Sequence, residues 1–296
     1  MTPFFILMQF EDYLKTEKRF SENTCVAYKN DLNQFVEFAQ INKQEELKEV
    51  NYQIIRSWIV DLMDEGNNPR TVNRKLSTLR TFYRWSLKQG FTDNNPMLKI
   101  KGPKLEKRLP VFLKQSELKE EKLAPLFSED FDGVRDRLML ELFYQTGIRL
   151  SELIELKEVD VTNNSIKVLG KRNKERIIPI STELSMQISL YQKYKTINGI
   201  SAPNLLTLIN GKNLYPRLVY RKINYYLGLV SSLDKKSPHV LRHTFATHML
   251  NNGTGLETLK NILGHASLSA TQVYTHNSFT QLNNIYSQAH PRGHKK

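Results

Sequence analysis

The stretch KIKGPKLEKRLP, residues 99–110, constrains the fold more than any other part of the sequence. A glycine, two prolines and closely spaced basic side chains deny it a helix interior or a central strand, because proline lacks the amide hydrogen that both require. Such a segment reads as a linker. The 296 residues therefore divide into an N-terminal domain over 1–99, a basic linker over 100–110 and a second domain from 111 onward.

Over the first 99 residues the hydrophobic pattern is helical, broken at RFSEN around Ser21, INKQ around Asn42, GNNPR at Gly66 and FTDNNP at Asn94. Four helices are expected. Ser21 is placed to cap the second, whose Val26, Leu32, Phe35, Val36 and Ala39 fall at the spacing of one buried stripe. In the fourth, near 70–87, Val72, Leu76, Leu79 and Tyr83 share one side, and Arg70, Arg74, Arg80, Thr81 and Arg84 share the other. A solvated face would mix charge signs. This one holds no acid, which marks it as a surface for nucleic acid, since arginine and threonine serve both phosphates and base edges.

Beyond the linker, helical patterning resumes around Ser116, at 136–143 and at 147–156. SIKVLGKRNKERIIPI then reads as two short strands about a polar turn, and further helices run through Lys222 and Thr247 to Leu263. Lysine and arginine outnumber the acids 43 to 30, a net charge of +13 that suits a polyanionic partner. The single cysteine, Cys25, excludes an intramolecular disulfide framework and reads as a small core residue. No run approaches the ~20 apolar residues of a membrane span, and MTPFFILMQFEDY lacks a charged leader region, so the expected location is the cytoplasm.

Three histidines and an arginine crowd into SPHVLRHTFATH, residues 237–248. His239 and His243, four apart, would share a helix face as zinc ligands do, but the intruding Arg242 and the lack of a nearby cysteine leave a structural zinc site incomplete. A phosphate site is the better reading, with His243 and His248 as packing residues beside Leu241, Phe245 and Met249. Four segments then line up: TGIRLSELIEL (146–156), LGKRNKER (169–176), HVLRHTFATHML (239–250) and LGHASLSATQVYTH (263–276). In this order and spacing they resemble the tyrosine recombinases, with wording nearest the Xer branch, across nearly the whole chain.

The resemblance implies a mainly helical fold with a small β-hairpin: a two-domain DNA clamp of an N-terminal helical core-binding domain and a mostly helical catalytic domain over 111–278. A C-terminal tail, 279–296, would dock onto a neighbouring protomer; its Phe279, Leu282, Ile285 and Tyr286 recur at helical spacing, and folding back on its own domain is the alternative. The family's active residues fall on Arg149, Lys171, His239, Arg242, His265 and the nucleophile Tyr274. Glu152 stands behind Arg149 as its orienting partner, although a plain helix-surface pair is the alternative. The implied partners are double-stranded DNA and further copies of this chain or a paralogue in a DNA-bound tetramer, with a DNA translocase as candidate regulator. The implied task is chromosome dimer resolution through a Holliday junction. Rivals are a phage or transposon integrase or an invertase, a strand-swivelling topoisomerase, and a non-catalytic DNA-binding protein on the same fold.

The chemistry fits without a cofactor, metal ion or ATP. Cleaving a phosphodiester adds negative charge to a pentacovalent transition state, and two guanidinium forks match the non-bridging oxygens bidentately. A tyrosine of ordinary pKa near 10 needs a proton acceptor, here His239, and the leaving 5′-oxygen needs a donor, here Lys171, while His265 donates to the phosphate. One position departs from the family pattern: Arg172 stands where glycine is usual, which leaves Lys174 as an alternative acid.

Overall fold

The computed structural model describes residues 5–105, 111–170, 174–264 and 285–293. The chain forms two compact units, Met1–Arg108 and Leu109–Lys296.

The first unit carries helices α1 (Phe5–Thr16), α2 (Glu22–Phe38), α3 (Tyr52–Asp64) and α4 (Pro69–Lys88). Their starts follow from capping chemistry: Ser21, Asn51 and Asn68 each accept a first-turn amide on the side chain, and Pro69 supplies the preset φ at the first position of α4. Phe10, Phe35, Trp58, Phe82 and Tyr83 fill the centre, with Phe10 edge-on to Phe82 and Phe35 edge-on to Trp58 at 5.2 and 5.0 Å between centroids. On α2 the inward position is Cys25, not Val26, which is half exposed. The rest of the expected stripe holds, with Leu32, Phe35 and Val36 buried and Ala39 packed against them.

The linker expectation needs revision at its start. Ile100 is buried in the core of this unit, and Pro103 O accepts a 2.8 Å hydrogen bond from Asn73 Nδ2 on α4. A proline-rich segment packs here because it asks little of its own amides and lends its carbonyls to α4.

The second unit is built around α6 (Phe131–Thr146), buried on almost every side. Asp130 caps its start, accepting from Gly133 N at 2.7 Å, and Gly147 ends it in the left-handed region at φ 61°. Here the helical pattern expected from 147 breaks, and α7 (Leu150–Glu155) begins three residues later. Around α6 lie the short α5 (Glu120–Leu123), the antiparallel hairpin of β1 (Ser165–Leu169) and β2 (Glu175–Pro179), then α8 (Thr182–Ile197), α9 (Pro216–Val230), α10 (Pro238–Asn251) and α11 (Leu256–Leu263). The hairpin register pairs Ile166 with Ile178 and Val168 with Arg176. Among the described residues no helix is long and apolar enough to cross a membrane.

The described part of the tail packs on its own unit. Tyr286, 1% exposed, stacks on His290 at 5.2 Å. Arg292 donates to Glu141, to Glu120 Oε2 at 2.9 Å and to Leu118 O at 2.7 Å.

Candidate active site

Three arginines from different elements converge where α6, α10, α11 and the hairpin meet. Arg149 ends the turn after Gly147 and stands just ahead of α7, Arg242 lies on α10, and Arg176 comes from β2. They hold three successive carbonyls at the C-terminus of α11. Arg176 Nε donates to Ile262 O at 2.7 Å, Arg242 Nη2 to Leu263 O at 2.7 Å and Arg149 Nη2 to Gly264 O at 3.0 Å. The last carbonyls of a helix have no intrahelical partner and carry its negative end, so guanidinium groups are favoured there. Arg242 Nη1 reaches back to Gly147 O, closing the end of α6 onto the same cluster.

Two glycines make the convergence possible. A Cβ on Gly147 would lie 2.6 Å from the Phe245 ring and 2.9 Å from Leu263, and one on Gly264 would lie 3.2 Å from Arg176. Both have φ above 60°, where other residues are strained.

Glu152 sits inside the cluster and accepts four hydrogen bonds. Oε2 takes Arg149 N and Arg176 Nη2, both at 2.8 Å; Oε1 takes Arg149 Nη1 at 2.7 Å and Arg176 Nη1 at 2.9 Å. Burial pushes this carboxyl up, but the Arg176 hydrogen bonds and charge, followed by those of Arg149, outweigh it and hold it at about 2. Arg242, only 9% exposed, is lowered to about 10 by burial and by the like charges of Arg149 and Arg176. It stays cationic at neutral pH. Among the described residues, three guanidiniums face one carboxylate, an excess of positive charge that favours an anion.

His239 lies on the first turn of α10, exposed and three residues before Arg242, so both project from one side of the helix. His248 is a packing residue, as expected: buried, it donates from Nε2 to Leu113 O at 2.9 Å and takes the Tyr144 hydroxyl at Nδ1 at 3.2 Å. His243 is half-buried. Lys174 is exposed at the end of the hairpin turn, where its carbonyl accepts from Gly170 N at 2.8 Å. Lys171, Arg172, His265 and Tyr274 lie outside the described residues. The sequence reading missed Arg176, although alternation with Ile178 and Ile180 puts position 176 on the inward face of β2.

In the first unit, α4 presents Arg70, Arg74, Ser77, Thr81, Arg84 and Lys88 along one exposed or half-exposed stripe, within about 40° of a single line at 100° per residue. Three of the expected contact residues are engaged within the protein. Arg74 forms a bidentate pair with Asp31 of α2 at 2.5 and 2.8 Å, and Arg80, off the stripe, donates to Ile100 O at 3.2 Å. Thr81 Oγ1 donates to Ser77 O at 2.9 Å.

Residues 115–281 match the model of the phage integrase family, and residues 7–90 match its N-terminal SAM-like domain. The chain belongs to this family of tyrosine recombinases. It is 40% identical over 290 residues to tyrosine recombinase XerC of Staphylococcus carnosus, covering 96% of each chain. It is 34% identical over 296 residues to tyrosine recombinase XerD of Staphylococcus epidermidis, covering 97% of this chain and 99% of that one. The fold matches XerH site-specific recombinase bound to palindromic difH substrate, at TM-score 0.70 and 22% identity over 95% of this chain and 84% of that one. It also matches a lambda integrase tetramer bound to a Holliday junction, at TM-score 0.66 and 20% identity over 98% and 78%. This recombinase therefore pairs a SAM-like helical domain with a catalytic domain that bears the arginine cluster.

Proposed function

We propose that this recombinase resolves chromosome dimers in the cytoplasm, acting in a DNA-bound tetramer with itself or a paralogue and exchanging strands through a Holliday junction. Near full-length similarity to relatives named both XerC and XerD supports the pairing. Arg149 and Arg242 clamp the non-bridging oxygens of the scissile phosphate. Tyr274 attacks phosphorus and becomes joined to the 3′-phosphate as its proton passes to His239. The 5′-oxygen leaves with a proton from Lys171, and His265 donates a hydrogen bond to the phosphate. The phosphotyrosyl bond conserves the energy for rejoining, so no nucleotide is consumed. In the ring, each tail takes on its neighbour the place it holds here on its own unit, a swap that closes a cyclic assembly.

The observation that carries this reading is the excess of positive charge in the guanidinium cluster, which a phosphate would relieve. The test is capture on a nicked suicide substrate followed by sequencing of the trapped DNA. Wild type should form a covalent adduct in EDTA as in its absence, at one chromosomal locus, and Tyr274→Phe should bind but form none. Adducts from Tyr274→Phe would remove the nucleophile assignment, and adducts mapping to mobile-element ends would remove the chromosomal role.

A further inference from the structure

One member of the cluster has no part in that reaction scheme. Arg176 is 6% exposed and uses its fork in three directions, with Nη1 and Nη2 on the two oxygens of Glu152 and Nε on Ile262 O. Glu152 in turn takes both the backbone amide and Nη1 of Arg149. Without Arg176, Arg149 and Glu152 would be a three-apart pair between a helix cap and a six-residue helix, free to turn about the carboxylate torsions. With it, the carboxylate plane is fixed from the opposite side. The same side chain borders two backbone positions that matter. A Cβ on Gly170 would lie 3.5 Å from Arg176 Nη1, and one on Gly264 would lie 3.2 Å from the Arg176 chain. Gly170 immediately precedes Lys171 in sequence, and Gly264 immediately precedes His265.

We propose that Arg176 is a positioning residue for DNA cleavage: by holding Glu152 and the last turn of α11 together, it fixes the Arg149 fork and locks the base of the hairpin to the site. The inference rests on the reading that Arg149 clamps the scissile phosphate. Lysine could not substitute, because one ammonium cannot lie in the carboxylate plane and reach the Ile262 carbonyl together. Removing the guanidinium also changes the state of Glu152. Among the described residues, Arg149 just ahead of α7 and Arg242 on α10 are then the charged groups left facing it, against a burial that favours the neutral acid.

The experiment is single-turnover cleavage of a nicked suicide substrate across pH, with DNA affinity and thermal unfolding measured on the same preparations. Arg176→Met should keep DNA affinity within about threefold and lose cleavage by roughly 100-fold, the scale of an ångström of misplacement at a reacting centre. Its acid limb should gain an ionisation that wild type lacks, and Glu152→Gln in the same background should remove it. Arg176→Lys should fall between the two, so the series remains informative if Arg176→Met is poorly folded. Wild-type rates in both variants, or a uniform loss that tracks unfolding with no change in the pH profile, would overturn the proposal. Arg149→Ala in the same assay separates the two levels: if it cleaves normally, the clamp reading fails, whatever Arg176 does.

Discussion

Arg242 illustrates how much a single side chain is asked to do in this site. Its guanidinium is nearly buried, lies beside two like charges, and still bridges the end of α6 to the end of α11 through Gly147 O and Leu263 O. Lysine keeps the charge but cannot span both carbonyls, nor present two parallel donors to a phosphate. Arg242→Lys and Arg149→Lys should each slow single-turnover cleavage by 100-fold or more, equivalent to about 3 kcal/mol of lost transition-state stabilisation, with DNA affinity much less affected. Near-normal rates in both would place the clamp elsewhere. That Arg149, Arg242 and Glu152 belong together was legible because their motifs state residue types at fixed spacing. Arg176 was not, since nothing in KERIIPI distinguishes an inward arginine from a solvated one until the strand phase is set by Ile178 and Ile180. Its partner carboxylate lies 24 residues away.

At the scale of elements, α4 shows where periodicity suffices and where it stops. Val72, Leu76, Leu79 and Tyr83 are all buried as the pattern requires, because 3.6-residue geometry alone assigns them to one side. The opposite face is basic as read, but its missing acid comes from another helix: Asp31 of α2 pairs with Arg74 and also accepts from Thr78 Oγ1 at 2.8 Å. No local pattern in α4 could reveal that. The basic positions of the stripe therefore differ in what they do. Replacing Arg70, Arg84 and Lys88 with alanine should reduce the slope of log affinity against log salt by roughly 2 to 3 if each meets a phosphate, while the unfolding midpoint holds. Arg74→Ala should instead cost about 1–3 kcal/mol in denaturant unfolding, because it removes the bidentate partner of a buried carboxylate. An unchanged salt slope in the triple variant would show the stripe to be merely solvated.

At the scale of the whole molecule, the described part of the tail is bound into its own unit by buried polar contacts. His290 is buried with both ring nitrogens occupied: Nε2–H donates to Tyr144 O at 3.2 Å, and Nδ1 accepts from Arg292 N at 3.1 Å. A proton on Nδ1 would face an N–H, and burial, the larger cause, lowers this group to about 3 from an ordinary 6.5. The unfolded chain therefore takes up the proton first. Stability from this residue is whole above about pH 6.5 and drains as the pH falls towards 3, by about 2 kcal/mol at pH 5, and His290→Phe should flatten that dependence in urea unfolding. Removing residues 285–296 is more drastic, since it uncovers Tyr144 and takes Arg292 from Glu141, a carboxylate only 1% exposed. A buried charge left without its partner costs several kcal/mol, so the chain ending at 284 should be markedly destabilised on its own. It keeps Tyr274 but lacks the residues that pack on Tyr144 and Glu141. If tails exchange around the ring, full-length Tyr274→Phe, which should not cleave if Tyr274 is the nucleophile, can cover those residues from the next protomer. Mixing the two on a two-half-site substrate should restore adduct formation by the truncated chain, and adding Arg292→Ala to the full-length donor should abolish the rescue. A truncated chain that cleaves unaided, or that no donor restores, would mean that the tail acts only on its own unit.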